Sequence, residues 1–375
     1  MAGIYLHIPF CKQACNYCDF HFSTSMKMKV DFVQAIIQEI ELRKGVFANE
    51  FISSVYFGGG TPSLLSKEEL DTIFEKLYKS FTIDADAEIT LEANPDDLTF
   101  EKLQQLKDSP VNRLSIGVQS FRDEDLKYMN RAHTAIEALN SIKMAQDAGF
   151  QNITIDLIYG TPGMSNVDWK YNLRKSFALN IPHISSYALT VEEKTPLYYQ
   201  ILKKNLGPVD EQQSADQFKI LMAEMLRHGY EQYEISNFCK DNSYSKHNSS
   251  YWKKDHYLGL GPSAHSYFGN LRMWNVSNNV KYIKALSTSK LPLVKENLNP
   301  QDMYNEYVMT SLRTKWGCSL IEIEKDYSMS FSHYFKAQIK SHEMNGYIIE
   351  NKGVYTLSET GKLIADRITS DLFFV

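Results

Sequence analysis

The chain has 375 residues, 43% of them hydrophobic, with a formal net charge of −5. That length supports one large core plus a smaller unit, and the mild acidity removes any electrostatic case for nucleic acid or an anionic membrane surface as a partner. No run approaches the roughly 18 apolar residues of a transmembrane helix, MAGIYLHIPF lacks the basic start of a signal peptide, and five cysteines in so long a chain fit a reducing cytoplasm better than a disulfide framework.

Six strand-like segments recur in the first half: GIYLHI (3–8), SVYF (54–57), AEITLEA (87–93), RLSIGV (113–118), ITIDLIY (153–159) and HISSYAL (183–189). Helical periodicity fills the gaps between them. In SKEELDTIFEKLYKSF, Leu70, Ile73, Phe74 and Leu77 share a face, and Ser66 with Glu69 spells a capping box. Thr134 with Glu137 repeats that signature, and Gly149 is placed to end the helix. Six β–α steps in a row predict parallel strands with helical crossovers, either doubly wound or rolled into a full or partial barrel. In both arrangements chemistry collects at the C-terminal ends of the strands. The unusual residues fall there: CKQACNYC after the first strand, GGGTP (58–62) after the second, Glu92 and Asn94-Pro95 closing the third, Gln119-Ser120 ending the fourth, and YGTPG (159–163) after the fifth.

The second half is less regular. We expect a core over 1–206, an extension of it over 207–290, and a smaller, mostly helical, winged-helix-like domain over 291–375 that turns a hairpin at 351–353. Residues 301–375 hold 8 Lys+Arg against 10 Asp+Glu, so a packing or lid role suits this unit better than DNA binding.

Cys11, Cys15 and Cys18 stand in the spacing C-x₃-C-x₂-C. Structural zinc takes four ligands, commonly as two separated pairs; there is no second pair, and His21 lies too close for the usual knuckle. Cysteines buried only for packing would not gather three within eight residues at a strand's end. A 4Fe–4S cluster held by three thiolates keeps one iron open to a small molecule.

With Tyr17 before the third cysteine, this motif resembles that of the radical S-adenosylmethionine (SAM) superfamily, and GGGTP one step later is similar to its SAM-binding glycine loop. Members bind SAM on the open iron and cleave it to a 5′-deoxyadenosyl radical. The resemblance implies a partial (β/α)6 TIM-like radical SAM barrel. IYLHIPFC, YFGGGTPSLL, LEANP, RLSIGVQSF, NRAH and IDLIYGTPG narrow it, from Ile4 to about Phe268, to the group of HemN-type oxygen-independent coproporphyrinogen III oxidases and HemW-type heme chaperones. Carried over by motif, Tyr5, Gly59, Gly60, Thr61, Glu92, Gln119, Arg131 and Asp156 would line the SAM pocket. The glycines would bring backbone N–H groups close to the ligand, and the carboxylates suit ribose hydroxyls or an ammonium.

Three features lean to the chaperone. Asp19-Phe20 replaces the oxidase's further cysteine, the first strand begins at Gly3 without the oxidase's long leader, and KHNSSYWKK resembles the heme-binding H-N-x-x-Y-W motif. On that resemblance His247 would ligate heme iron, Asn248, Tyr251 and Trp252 would complete the site, and Lys246, Lys253 and Lys254 would meet propionates. His256 and His265 lie close enough to compete as ligands, and GPSAHS (261–266) carries no assigned role. The implied partners are heme, an acceptor protein and an electron donor. The alternative activity is decarboxylation of coproporphyrinogen propionates.

Overall fold

The computed structural model describes residues 2–47 and 50–375, and one twelve-stranded sheet organises most of them. β1 (Ala2–Ile8), β2 (Ile52–Gly59), β3 (Ile83–Ala93), β4 (Arg113–Gln119), β5 (Ile153–Tyr159) and β6 (His183–Ala188) lie side by side in chain order, every neighbouring pair parallel. Both faces of such a sheet are covered, which is why these strands are apolar almost throughout. Ile4, Leu6 and Ile8 of β1 and Leu114, Ile116 and Val118 of β4 are fully buried. The crossover helices begin and end where their sequences say. Ser66 and Thr134 each accept a hydrogen bond from the amide three residues on, Glu69 and Glu137 reciprocate, and Gly149 takes a left-handed φ of 90° just past its helix.

The stretch from 207 to 290 does not stay together as one extension. β8 (Asn237–Cys239) adds antiparallel to β6 and β7 (Glu231–Glu234) antiparallel to β8, while β9 (His256–Leu260) joins the opposite edge, parallel to β1. Behind β9 follow β10 (His265–Phe268), β11 (Leu271–Asn275) and β12 (Leu293–Asn297), all antiparallel. β12 lies beyond the boundary expected at 290, so the main sheet reaches further into the chain than composition suggested. The remaining unit packs its own core of Tyr304, Val308, Leu312, Ile323, Phe335, Ile339 and Ile368. Its small sheet pairs β13 (Cys318–Ser319) and β14 (Ile348–Asn351) on either side of β15 (Val354–Leu357), with the hairpin turning at Lys352-Gly353.

Two buried polar clusters fix the added strands. The helix Lys246–Trp252, between β8 and β9, packs against the N-terminal ends of β1 and β2: Ser54 Oγ meets its His247 ring at 2.9 Å, and Glu88 of β3 accepts from the His247 amide at 3.1 Å. Arg113, at the start of β4, donates to Ser245 Oγ at 3.2 Å, just before that helix begins. On the other side, fully buried Glu39 of the helix Lys29–Arg43 accepts from Gly261 N (2.9 Å), Asn275 Nδ2 (2.8 Å) and the Tyr282 hydroxyl (2.5 Å), with Arg43 at 3.5 Å. Arg43 in turn donates to Gly259 O (3.1 Å) and Ser266 Oγ (3.2 Å). Glu39→Ala would strand the Arg43 charge and three donors without water. We expect a loss of about 3–5 kcal/mol in urea unfolding, against a much smaller loss for the exposed control Glu124→Ala.

Candidate cluster and cofactor site

At the C-terminal rim of β1–β6 a cavity of about 760 Å3 opens, and Cys11, Cys15 and Cys18 all face it. The three thiols are free and half-buried. The loop that carries them is pinned from both sides: Cys11 N donates to Ser23 O at 3.0 Å, and Asn16 N to Met129 O at 3.0 Å. Burial pushes the Cys18 thiol up to about 12, so without a bound cation it stays protonated. A polynuclear iron centre would supply positive charge to thiolate ligands, and the donor set of three sulfurs facing one open cavity fits it.

Of the residues expected to hold SAM, Gly59, Gly60, Thr61, Glu92, Gln119, Arg131 and Asp156 line this cavity. The Arg131 guanidinium reaches Cys15 Sγ (3.2 Å), Asn94 Oδ1 (2.7 Å) and Gly117 O (2.8 Å), while its buried Nε has no partner among the described residues. Asn94 passes the link on to Thr61 Oγ1 at 3.1 Å. Gln119 holds a left-handed φ of 65° at the end of β4, the kind of strain a surrounding structure tolerates where a side chain must be aimed.

Two expectations need correcting. The glycine loop does not offer its amides to a ligand. Gly59 N donates to Glu92 Oε2 (3.2 Å), Gly60 N to Ile8 O (2.9 Å) and Thr61 N to Phe10 O (2.7 Å). The glycine at 60 is needed for packing, because a Cβ there would sit 2.6 Å from Phe10 O and 2.7 Å from Ile8 O. The loop is thus left to meet a ligand's donors rather than its acceptors. Tyr5 lines a second cavity: its hydroxyl meets His7 Nδ1 at 3.2 Å, while its ring stacks on Tyr56, which lines the first.

Glu92 and Asp156 show what the cavity lacks by itself. Glu92 accepts from the Tyr56 hydroxyl (2.8 Å) and Gly59 N; Asp156 feels Arg113 and the Ser185 hydroxyl. Burial, with Asp156 nearby, still raises Glu92 to about 7, and burial raises Asp156 to about 6. Buried carboxylates held near neutrality are short of positive charge and donors. An ammonium and a pair of ribose hydroxyls are such partners, so the residues present fit SAM.

The H-N-x-x-Y-W residues occupy the helix Lys246–Trp252, where neighbours take both ring nitrogens of the histidine. His247 is 1% exposed, with Nδ1 on Ser54 Oγ and Nε2 on the Tyr251 hydroxyl, each at 2.9 Å. Burial, aided by the Arg113 charge, holds its pKa at about 3, so the ring is neutral but enclosed. Asn248 lines the first cavity and Tyr251 the second, while Trp252 stacks under Arg313 at 5.6 Å. The lysines are engaged too: Lys246 donates to Asp86 O (2.9 Å), Lys253 lies over Trp316 (4.4 Å), and Lys254 meets the Tyr327 hydroxyl and the Tyr307 ring (4.4 Å). They fasten the helix to β3 and to the C-terminal unit instead of waiting for propionates.

Sequence reasoning missed the cavity's far wall. Arg313, Lys362 and Arg367 of the C-terminal unit line it, Arg313 bridging Glu234 (3.2 Å) and Asp366 (3.0 Å) and Lys362 donating to Gln232 Oε1 (2.8 Å). No local pattern marks them, because only long-range docking brings them to the rim.

A family model for the radical SAM superfamily matches residues 5–174. The Bacillus subtilis protein named heme chaperone HemW is 34% identical over 98% of both chains. Its Escherichia coli namesake is 30% identical over 98% of this chain and 96% of that one. Among solved structures, E. coli coproporphyrinogen III oxidase HemN, a radical SAM enzyme, superposes with a TM-score of 0.86 at 23% identity, covering 99% of this chain and 90% of that one, which shows the shared fold. Full-length likeness on this scale, joined to the three-thiol rim, settles the lineage: the chain belongs to the HemW family of the radical SAM superfamily.

Proposed function

We propose that the chain is a cytoplasmic heme chaperone that binds heme and hands it to an acceptor protein. In this reading it carries a 4Fe–4S cluster on Cys11, Cys15 and Cys18, and SAM beside it. The observation that carries it is end-to-end similarity to proteins named heme chaperone HemW, with no large segment of either chain left over. The absence of a cysteine two residues past Cys18, where Phe20 stands, supports chaperone over oxidase.

When bound, the cluster would supply one electron and an open iron to SAM. The chain's own groups do the rest. Arg131 holds Cys15 and the Asn94–Thr61 pair in register. Glu92 and Asp156 receive the ligand's donors, with Tyr56 fixing the Glu92 carboxylate. The C-terminal unit, docked through Arg313 and Lys362, narrows access of water to the cavity.

Two outcomes follow. Saturation at one heme per chain is expected in an anaerobic titration of cluster-loaded protein; a failure to saturate counts against the chaperone reading. The second concerns the carboxylates. A ligand that needs Glu92 and Asp156 ionised must displace protons held with pKa values of about 7 and 6, so SAM affinity rises from about pH 6 to about pH 8 and then levels off. The same raised value costs the fold stability: the native state keeps this proton more tightly than the unfolded chain, so stability falls as pH rises from about 4.5 to about 7. Glu92→Gln should therefore melt higher than wild type above pH 7 while binding SAM at least about tenfold more weakly, by equilibrium dialysis. Equal SAM affinity in the variant would remove Glu92 from the site.

A further inference from the structure

A second cavity, of about 620 Å3, lies on the β1–β9 side of the sheet, and no role has yet been given to it. Its walls are rich in flat rings: Tyr5 of β1, Phe20 and Phe22 from the loop after Cys18, Tyr251 of the H-N-x-x-Y-W helix and Tyr257 of β9. Phe20 is 66% exposed, a large apolar surface that nothing in the chain covers among the described residues. Phe20 and Asp19 also face the first cavity, so the two spaces share the loop that carries the cysteines.

Three imidazoles line the same space, and their hydrogen bonds separate them. His7 has both ring nitrogens occupied, by the Tyr5 hydroxyl (3.2 Å) and by His21 O (2.8 Å). His21 commits Nε2 to Asn279 Oδ1 at 2.7 Å. His265 is exposed, is steadied only by stacking on Trp274 with ring centroids 6.0 Å apart, and its ring enters no hydrogen bond among the described residues. Its position is built with care. A Cβ on Gly259 would lie 2.0 Å from His265 O, Gly261 turns at φ 98° with room for no Cβ beside His7 O (2.5 Å), and Ser263 adopts a left-handed φ of 67° on the cavity wall. Glu39 and Arg43 clamp this turn from below.

A metal-bearing planar ligand needs flat apolar walls and one free imidazole, and this cavity supplies both. Resting on the heme-chaperone reading, we propose that heme binds in this second cavity with His265 as its axial ligand, and that His247 acts as a positioning residue through Tyr251. The H-N-x-x-Y-W motif then keeps a part in heme binding without touching iron: His247, tied to Ser54, holds the Tyr251 ring at the cavity wall.

The test is a heme titration of the full, cluster-loaded chain, read by EPR and resonance Raman of the ferric heme, in wild type, His265→Ala and His247→Ala. His265→Ala should lose the histidine-ligation signature and bind more than about tenfold more weakly, and added imidazole should restore the signature. His247→Ala should weaken binding while keeping the wild-type signature. Unchanged ligation in His265→Ala, or its loss in His247→Ala alone, overturns the assignment while leaving the chaperone reading intact. An absence of specific heme binding in wild type overturns both.

Discussion

At the end of the sheet opposite the cysteine-bearing rim, the strands are tied together by the buried Glu88 carboxylate. It accepts from the His247 amide at 3.1 Å and lies 3.7 Å from Arg113 Nε, so one charge pair joins β3, β4 and the short helix beneath them. Arg113 extends the tie to Ser245, and Ser54 extends it to the His247 ring. Each of these groups is buried, and a buried charge is stable only with its partners in place. Those five groups are polar but partnered, whereas the rim carries carboxylates, thiols and a guanidinium nitrogen that the chain leaves short of partners. That asymmetry, more than the sheet itself, assigns chemistry to one end.

The rim is bought with stability. Glu92 and Asp156 are held near neutrality by burial, Gln119 sits in a strained backbone, and Arg131 Nε finds no acceptor among the described residues. Packing gives no reason to keep such groups inside a barrel. A ligand carrying ammonium and hydroxyl donors would turn the cost of burying the two carboxylates into binding free energy, and this is the physical content of the SAM proposal.

Much of this was legible in the sequence where the signal is local. Alternation of apolar strands with capped helices gave six parallel β–α units, and the Ser66–Glu69 and Thr134–Glu137 boxes mark the helix starts they appear to mark. The cysteines, the glycine loop and Glu92 could be placed at strand ends because a strand's end is itself a local feature. What was not legible depends on distant pairing. Nothing near Tyr5 says that its hydroxyl turns to His7, and nothing near Lys254 says that it docks against Tyr327. The resemblance of KHNSSYWKK to the H-N-x-x-Y-W motif marks His247 as a ligand, yet no local signal shows that its partner Ser54 lies 193 residues away. The glycine at 60 was read as an approach for ligand and proves to be an approach for the cysteine loop's own backbone.

The central claim is that the chain carries heme as cargo and does not make its precursor. One anaerobic reaction tests it directly: cluster-loaded chain with heme, SAM, a reductant, coproporphyrinogen III and a heme-free acceptor protein, followed by product analysis. The account predicts intact heme on the acceptor and unchanged coproporphyrinogen. Heme that stays in place while coproporphyrinogen loses carbon dioxide and gains vinyl groups would contradict it.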